Sequence, residues 1–244
     1  FHGCPSVSSL RRFIGEDHLY PVENEAGVID RHWLAHTCEA QEDGELSYRY
    51  RAKLHEGAVK FYFGSLPDDT ETYATLPQII QGEALKTFVE SFRTKKWRRT
   101  GILWWNLLDG WPQVSDATVD YYGEKKRSFT YLCRVQTPVC LMLSEPKDGT
   151  AGIVAANDTG EEHEIAFAVR SITKGTLLAE GRAVLPANEN TVLGTVPASA
   201  DEYEMIGLSW TENGETHHNH FCTRLAGADP DTYLREVAET FSKK

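Results

Sequence analysis

A chain of 244 residues, 41% hydrophobic, 25% charged and 11% aromatic, has an ordinary globular balance, which excludes a largely disordered protein. Its net charge of −11 offers no basic footprint for nucleic acid or an anionic membrane, and no apolar run approaches the roughly 18 residues of a membrane span. Five scattered cysteines (Cys4, Cys38, Cys133, Cys140, Cys222), odd in number and without CxxC spacing, argue against a disulfide framework or a zinc site. They fit free thiols in a reducing compartment, so the expected location is cytoplasmic. The chain starts at Phe1 rather than Met, and its natural N-terminus is expected to lie upstream.

In chain order, Ser6 is placed to cap a short helix carrying Val7, Leu10, Phe13 and Ile14. Asp30 is placed to cap the next, with Trp33, Leu34 and Cys38. Residues 45–64 are expected to form a third helix. Residues 76–97 form the strongest helical pattern, with Ile79, Ile80, Leu85, Phe88, Val89 and Phe92 as an apolar stripe and Arg93, Lys95 and Lys96 in the last turn. The run Thr100-Gly-Ile-Leu-Trp-Trp-Asn-Leu-Leu108 has the length and continuity of a parallel strand buried on both faces. A loop through Asp109-Gly110-Trp111-Pro112 and an irregular stretch to Gly123 lead to a basic helix over 124–135. Helix, buried strand, polar-aromatic loop, helix is the order of an α/β barrel, whose chemistry sits in the loops after the strands.

The texture changes near Thr137-Pro138. Residues 1–136 hold 17 Lys/Arg against 19 Asp/Glu, and residues 137–244 hold 8 against 17. The second part alternates in short runs: 138–144, 151–157, 163–172, 176–185, 190–196, 203–210 and 216–224. Turn signals separate them at Lys147-Asp-Gly149, Asn157-Asp-Thr-Gly160, Thr173-Lys-Gly175, Asn188-Glu-Asn190 and Glu212-Asn-Gly214. Seven strands of this spacing suit an immunoglobulin-like β-sandwich. Asp229-Pro230 opens a terminal helix with Pro at its first position. The fold class expected is thus α/β plus all-β: the end of a (β/α)8 TIM barrel over 1–136, a sandwich over 137–227 and a helical tail over 228–244.

Three Trp, an Asn and an Asp lie between Trp104 and Trp111. Indole faces stack on the C–H face of a sugar ring, and nearby amide and carboxylate groups hydrogen-bond its hydroxyls. The alternative use of these rings is to fill a core. Gly101-Ile-Leu-Trp-Trp-Asn-Leu-Leu-Asp-Gly-Trp-Pro112, followed by Asp120-Tyr-Tyr-Gly123 and Lys125-Lys126, resembles the eighth barrel strand and following loop of glycoside hydrolase family 2, most of all its β-mannosidase branch. Residues 131–139 resemble that family's link into its sandwich. The resemblance covers essentially the whole chain, and the family's enzymes are several times longer.

The resemblance implies that Trp105 lines the sugar subsite where cleavage occurs, and that Asp109 and Trp111 are substrate-binding positions of the loop. Leu108 stands where the motif usually has Asn. The segment Phe1-His-Gly-Cys-Pro-Ser6 with Leu10-Arg-Arg-Phe13 resembles the stretch just after barrel strand 7. This implies a nucleophile Glu a few residues before Phe1 and an acid/base Glu earlier still. Retaining glycosidases need both, about 5 Å apart. The chain is therefore expected to carry part of a sugar pocket, no catalytic residue, no cofactor and no metal. Its expected partners are a β-glycoside and the remainder of a parent hydrolase, a retaining exo-β-glycosidase. The competing reading is a non-catalytic carbohydrate-binding or structural sandwich with a helical extension.

Other constellations read as structural. His32 and His36 share a helix face at the i, i+4 spacing of zinc sites, but no third ligand is marked. His218 and His220 share one face of the last strand, beside His217. The pair Glu23 and Glu25 around Asn24 lies in a Pro-containing loop, out of order for an acid/base motif. The basic-aromatic run 95–99 around Trp97 fits a solvated helix end.

Overall fold

The structure is a computed structural model and describes residues 1–37 and 52–242. The chain divides into two compact units, residues 1–85 with 104–131, and residues 86–103 with 132–244.

In the first unit the short helix α1 (Val7–Phe13) starts where Ser6 Oγ accepts from Ser9 N, and α2 (Arg31–Ala35) where Asp30 accepts from His32 N, as their capping side chains predict. A 3₁₀ turn (Glu16–His18) joins them. Helix α3 (Leu54–Phe63) occupies the end of the expected 45–64 helix; residues 45–51 and Cys38 lie outside the described residues. Helix α4 (Thr70–Arg93) starts earlier than expected and ends sooner. The sequence pattern suggests a start beside Pro77, yet Asp69 Oδ1 accepts from Thr72 N, so the capped helix begins ahead of the proline. Past Arg93 the chain turns, and Trp97 sits at φ 69. Helix α5 (Arg127–Val135) begins after the expected 124.

Leu10, Ile14, Trp33, Tyr73 and Val114 form the core of this unit. Helices α4 and α5 approach each other at Gly82. A Cβ there would lie 2.8 Å from the buried Tyr131 ring, closer than any real contact. Gly82→Ala should therefore destabilise by about 1–3 kcal/mol in urea unfolding, the reverse of the gain of up to about 1 kcal/mol that helix propensity alone gives.

The same core buries a polar relay. Tyr73 Oη donates to Glu56 Oε1 at 2.8 Å, so His55 Nε2, 2.8 Å away, donates to the tyrosine oxygen. His55 Nδ1 is left buried without a hydrogen bond. Burial, with the positive charges of His2 and Lys126, lowers the His55 pKa to about 3. Unfolded, the same imidazole titrates near 6.5. Between those values the unfolded chain binds a proton that the folded chain refuses. Stability should thus fall as pH drops from about 6.5 towards 3, by up to about 1.4 kcal/mol per pH unit. Melting temperature against pH in the wild type and in His55→Gln checks this; the variant should have a flatter acid limb.

The expected buried strand over 100–108 is absent. Residues 101–107 form no strand; Leu103 is 96% exposed, and Leu107 and Leu108 are exposed too. Its one bridge among the described residues is the isolated parallel bridge of Leu108 to Val119, and Val119 in turn bridges Lys125. Apolar continuity is half of what a central parallel strand requires. The other half is a hydrogen-bonded neighbour on each side, and the described residues supply only the short contact with Thr118 and Val119, at the end of the segment.

The second unit holds seven antiparallel strands: β1 (Val139–Leu143), β2 (Thr150–Asn157), β3 (His163–Ser171), β4 (Thr176–Leu185), β5 (Asn190–Pro197), β6 (Met205–Glu212) and β7 (Glu215–Cys222). All seven fall within a few residues of the runs read from alternation. Sheet β1-β2-β5 and sheet β4-β3-β6-β7 share one core, where Leu141, Ile153 and Ala155 meet Ile165, Val169, Leu208 and Trp210. The turn signals hold physically: Asp148-Gly149 and Asn213-Gly214 both take positive φ, as a two-residue hairpin turn requires.

Helix α6 (Pro230–Ser242) begins with Asp229 Oδ2 accepting from Thr232 N. It covers the outer face of the four-stranded sheet. A Cβ on Gly207 would meet Thr240 Cγ2 at 3.2 Å, and the rings of His218 and His220 both pack on Phe241. This explains why Met205 to Leu208 are buried on both faces.

The expected stripe of α4 is partly displaced. Phe88 is exposed, whereas Lys86 and Glu90 are buried as an ion pair at 2.7 Å, with Asn219 Nδ2 donating to Glu90 Oε1. Arg93 at the end of α4 and Lys96 of the basic run both bind Asp158, each at 2.7 Å.

Candidate functional site: the Trp105–Trp111 loop

The loop after residue 104 is built around a buried carboxylate. Asp109 is 2% exposed, and its N–H donates to Val119 O. Its Oδ1 accepts from Ser115 Oγ at 2.5 Å and from Gln113 Nε2 at 2.8 Å. Its Oδ2 makes no hydrogen bond and faces Lys126 Nζ at 3.9 Å. Lys126 is fully buried and donates to Ser115 O at 3.2 Å. Burial raises the Asp109 pKa, and Lys126, Ser115 and Gln113 offset that only in part. Burial likewise lowers the Lys126 pKa despite the opposing pull of Asp109. Both shifts mark an ion pair whose desolvation outweighs its mutual attraction.

Gln113 carries this anchor to the surface. Its Oε1 accepts from Trp111 Nε1 at 2.8 Å while its amide holds Asp109. The Trp111 ring stacks on His36, with centroids 5.6 Å apart, and His36 Nδ1 donates to Pro112 O at 2.7 Å. The Asp120 carboxylate caps the next turn by accepting from Tyr122 N and Glu124 N.

Trp105 is outside this network. Its indole is 79% exposed, and the peptide joining it to Asn106 is cis. Asn106 Oδ1 is buried without a hydrogen bond. Of the three residues singled out from sequence, the structure thus links Asp109 and Trp111 through Gln113 and leaves Trp105 as an open aromatic face. Asp109, expected as a sugar contact, is enclosed and braces the loop. Sequence reasoning missed Gln113 and Ser115, and it weighed His36 only as a partner of His32, not of Trp111. Lys126 lay within the motif already quoted, as one of the pair Lys125-Lys126, and nothing in the sequence separates the buried lysine from its neighbour.

The other sequence candidates separate. The His36 ring hydrogen-bonds Pro112 O, whereas His32 meets His18 and Asp30. Glu23 pairs with Lys53, and Asn24 forms a turn by accepting from Ala26 N and Val28 N. His217 stacks on Trp210. Cys4, Cys133, Cys140 and Cys222 are free thiols. Among the described residues no helix is long and apolar enough to cross a membrane.

No protein-family model matches the chain. β-Mannosidase B of Aspergillus flavus is 32% identical over 133 residues, which are 50% of this chain and 14% of that protein. β-Mannosidase B of Aspergillus terreus is 31% identical over the same span. The structure of a β-D-mannosidase from Dictyoglomus thermophilum superposes with a TM-score of 0.73 at 25% identity, covering 91% of this chain and 26% of that one. The exo-chitosanase of Amycolatopsis orientalis shares the fold, with a TM-score of 0.66 at 16% identity over 91% of this chain and 26% of that one. The chain therefore spans 14% of the length of the curated relatives it matches.

In sequence and in fold, then, the likeness is to glycoside hydrolases. The narrower likeness, shared by the Aspergillus relatives and the Dictyoglomus structure, is to the β-mannosidases of family 2, the branch that the 101–126 motif resembles.

Proposed function

We propose that this chain is part of a retaining exo-β-glycosidase of the β-mannosidase type. In this reading, residues 1–136 are the end of its (β/α)8 barrel and residues 137–227 an immunoglobulin-like sandwich, followed by the helical tail. The catalytic carboxylate pair lies outside these 244 residues. What carries the reading is Trp105: a 79% exposed indole at the head of a loop whose far side is held by buried polar contacts. An exposed ring face suits stacking on the C–H face of a pyranose, and Trp111, held by Gln113 and His36, offers a second apolar surface. Asp109 and Lys126 serve this site by fixing the loop. The exposed Leu103, Leu107 and Leu108 are the surface on which the remainder of the barrel packs.

The test is hydrolysis of a panel of aryl β-glycosides by this chain and by the gene product extended upstream. The chain alone is expected to be inactive, and the extended protein to cleave the β-mannoside best. Turnover by the chain alone would overturn the placement of the carboxylates. An extended protein that binds sugars without cleaving any would favour the non-catalytic module.

A further inference from the structure

Away from the tryptophan loop, His18, Asp30 and His32 bring three ligand atoms within 4.8 Å of one another. His18 closes the 3₁₀ turn, Asp30 caps α2, and His32 lies in its first turn. Both imidazoles address one carboxylate through Nδ1. His18 Nδ1 is 2.8 Å from Asp30 Oδ2, and His32 Nδ1 is 3.1 Å from Oδ1. The two rings lie with centroids 3.8 Å apart.

We propose that His18, Asp30 and His32 form a divalent transition-metal site of the zinc class. A tetrahedral ion with bonds of roughly 2.0–2.2 Å holds its ligands about 3.3 Å apart; the two nitrogen–oxygen separations of 2.8 and 3.1 Å lie close to this, and all three ligand atoms are within 4.8 Å of one another. Two imidazoles and a carboxylate suit zinc, cobalt or nickel, and exclude the all-oxygen shell that calcium and magnesium prefer. On binding, each ring takes its Nε2–H tautomer, and the Nδ1 lone pairs replace the two hydrogen bonds to the carboxylate.

The surroundings are already arranged for this. The buried Trp33 donates its indole N–H to His18 O at 2.9 Å, fixing the turn that carries the first ligand. His32 N donates to Asp30 Oδ1 at 2.7 Å, fixing the carboxylate. Outer contacts of this kind orient metal ligands. The three side chains are 24–38% exposed, which leaves room for a water as fourth ligand and a route from solvent.

The ion would clamp the 3₁₀ turn to the start of α2. The helix ends at His36, whose ring stacks on Trp111, so the clamp acts on the element that supports the loop. The site itself is independent of the glycosidase reading.

The probe is Co²⁺ added to the whole chain after chelation. The expected result is saturable visible absorption at one equivalent, without a thiolate charge-transfer band. Asp30→Asn, which keeps a helix-capping side chain, and His32→Gln should each weaken binding by more than about tenfold, the loss that even an outer contact can produce. Circular dichroism confirms that both variants fold. No saturable absorption, a thiolate band, or binding unchanged in both variants would each overturn the proposal.

Discussion

Lys126→Met should destabilise the chain by about 3–5 kcal/mol. The ammonium is fully buried, and its removal strands the Asp109 carboxylate, whose Oδ2 then faces no charge. Asp109→Asn should cost less, because Lys126 keeps its bond to Ser115 O and the attraction of Asp116 and Asp120. Combining the two changes should give back a large part of the Lys126→Met loss, since the pair is held against a desolvation cost that the neutral pair escapes. Urea unfolding of the two single variants and the double variant measures this directly; strictly additive losses would mean the pair is uncoupled.

The pH dependence of the pair has a definite sign. The folded Asp109 pKa is raised, so above its unfolded value of 3.8 the folded chain holds a proton that the unfolded chain has released. This contribution falls as pH rises through the folded value. Lys126 works the other way. Its folded pKa is lowered from 10.5, so just below that value the unfolded chain holds the extra proton and stability rises with pH. In Asp109→Asn the acid part of this dependence should vanish.

Trp210→Ala should cost about 3–5 kcal/mol. Trp210 is 1% exposed on the inner face of β6, paired across the sheet with Phe167 and stacked on His217 at 5.4 Å. Truncation opens a cavity in the core that the two sheets share. Trp210→Phe should cost clearly less, because the indole N–H makes no hydrogen bond whose loss would add to that of volume. Denaturation followed by circular dichroism separates the two. Equal losses would mean that the indole's polar edge matters.

The sheets were legible because their signals are local. Alternation marks each strand, and Asn213-Gly214 or Asp148-Gly149 marks a hairpin by the positive φ that few other residues accept. The helix caps at Ser6, Asp30 and Asp229 are local in the same way. Segment 101–108 was misread because a strand is defined by neighbours distant in sequence, and hydrophobicity carries no record of them. The stripe on α4 was blurred because Lys86, Glu90 and Asn219 satisfy one another, a compensation that residue type alone hides. At the loop, aromatic residues announce themselves, whereas Gln113 and Ser115 become meaningful only once Asp109 is seen to be buried. The histidine interval was read as structural. His32 and His36 have the sequence interval of a metal pair, but His32 finds its partners in His18 and Asp30.

The open stretch 101–108 has a consequence for how the isolated chain behaves as a colloid. Leu103, Trp105, Leu107 and Leu108 present large apolar side chains to water on a backbone with almost no ladder of its own. Such a segment is a template for pairing with another copy. The net charge of −11 opposes this by repulsion between molecules, but added salt screens that repulsion within about 10 Å at 0.1 M. Particle size in solution should therefore grow with ionic strength and protein concentration together, and a single charged residue at Leu103 should be enough to keep the chain monomeric.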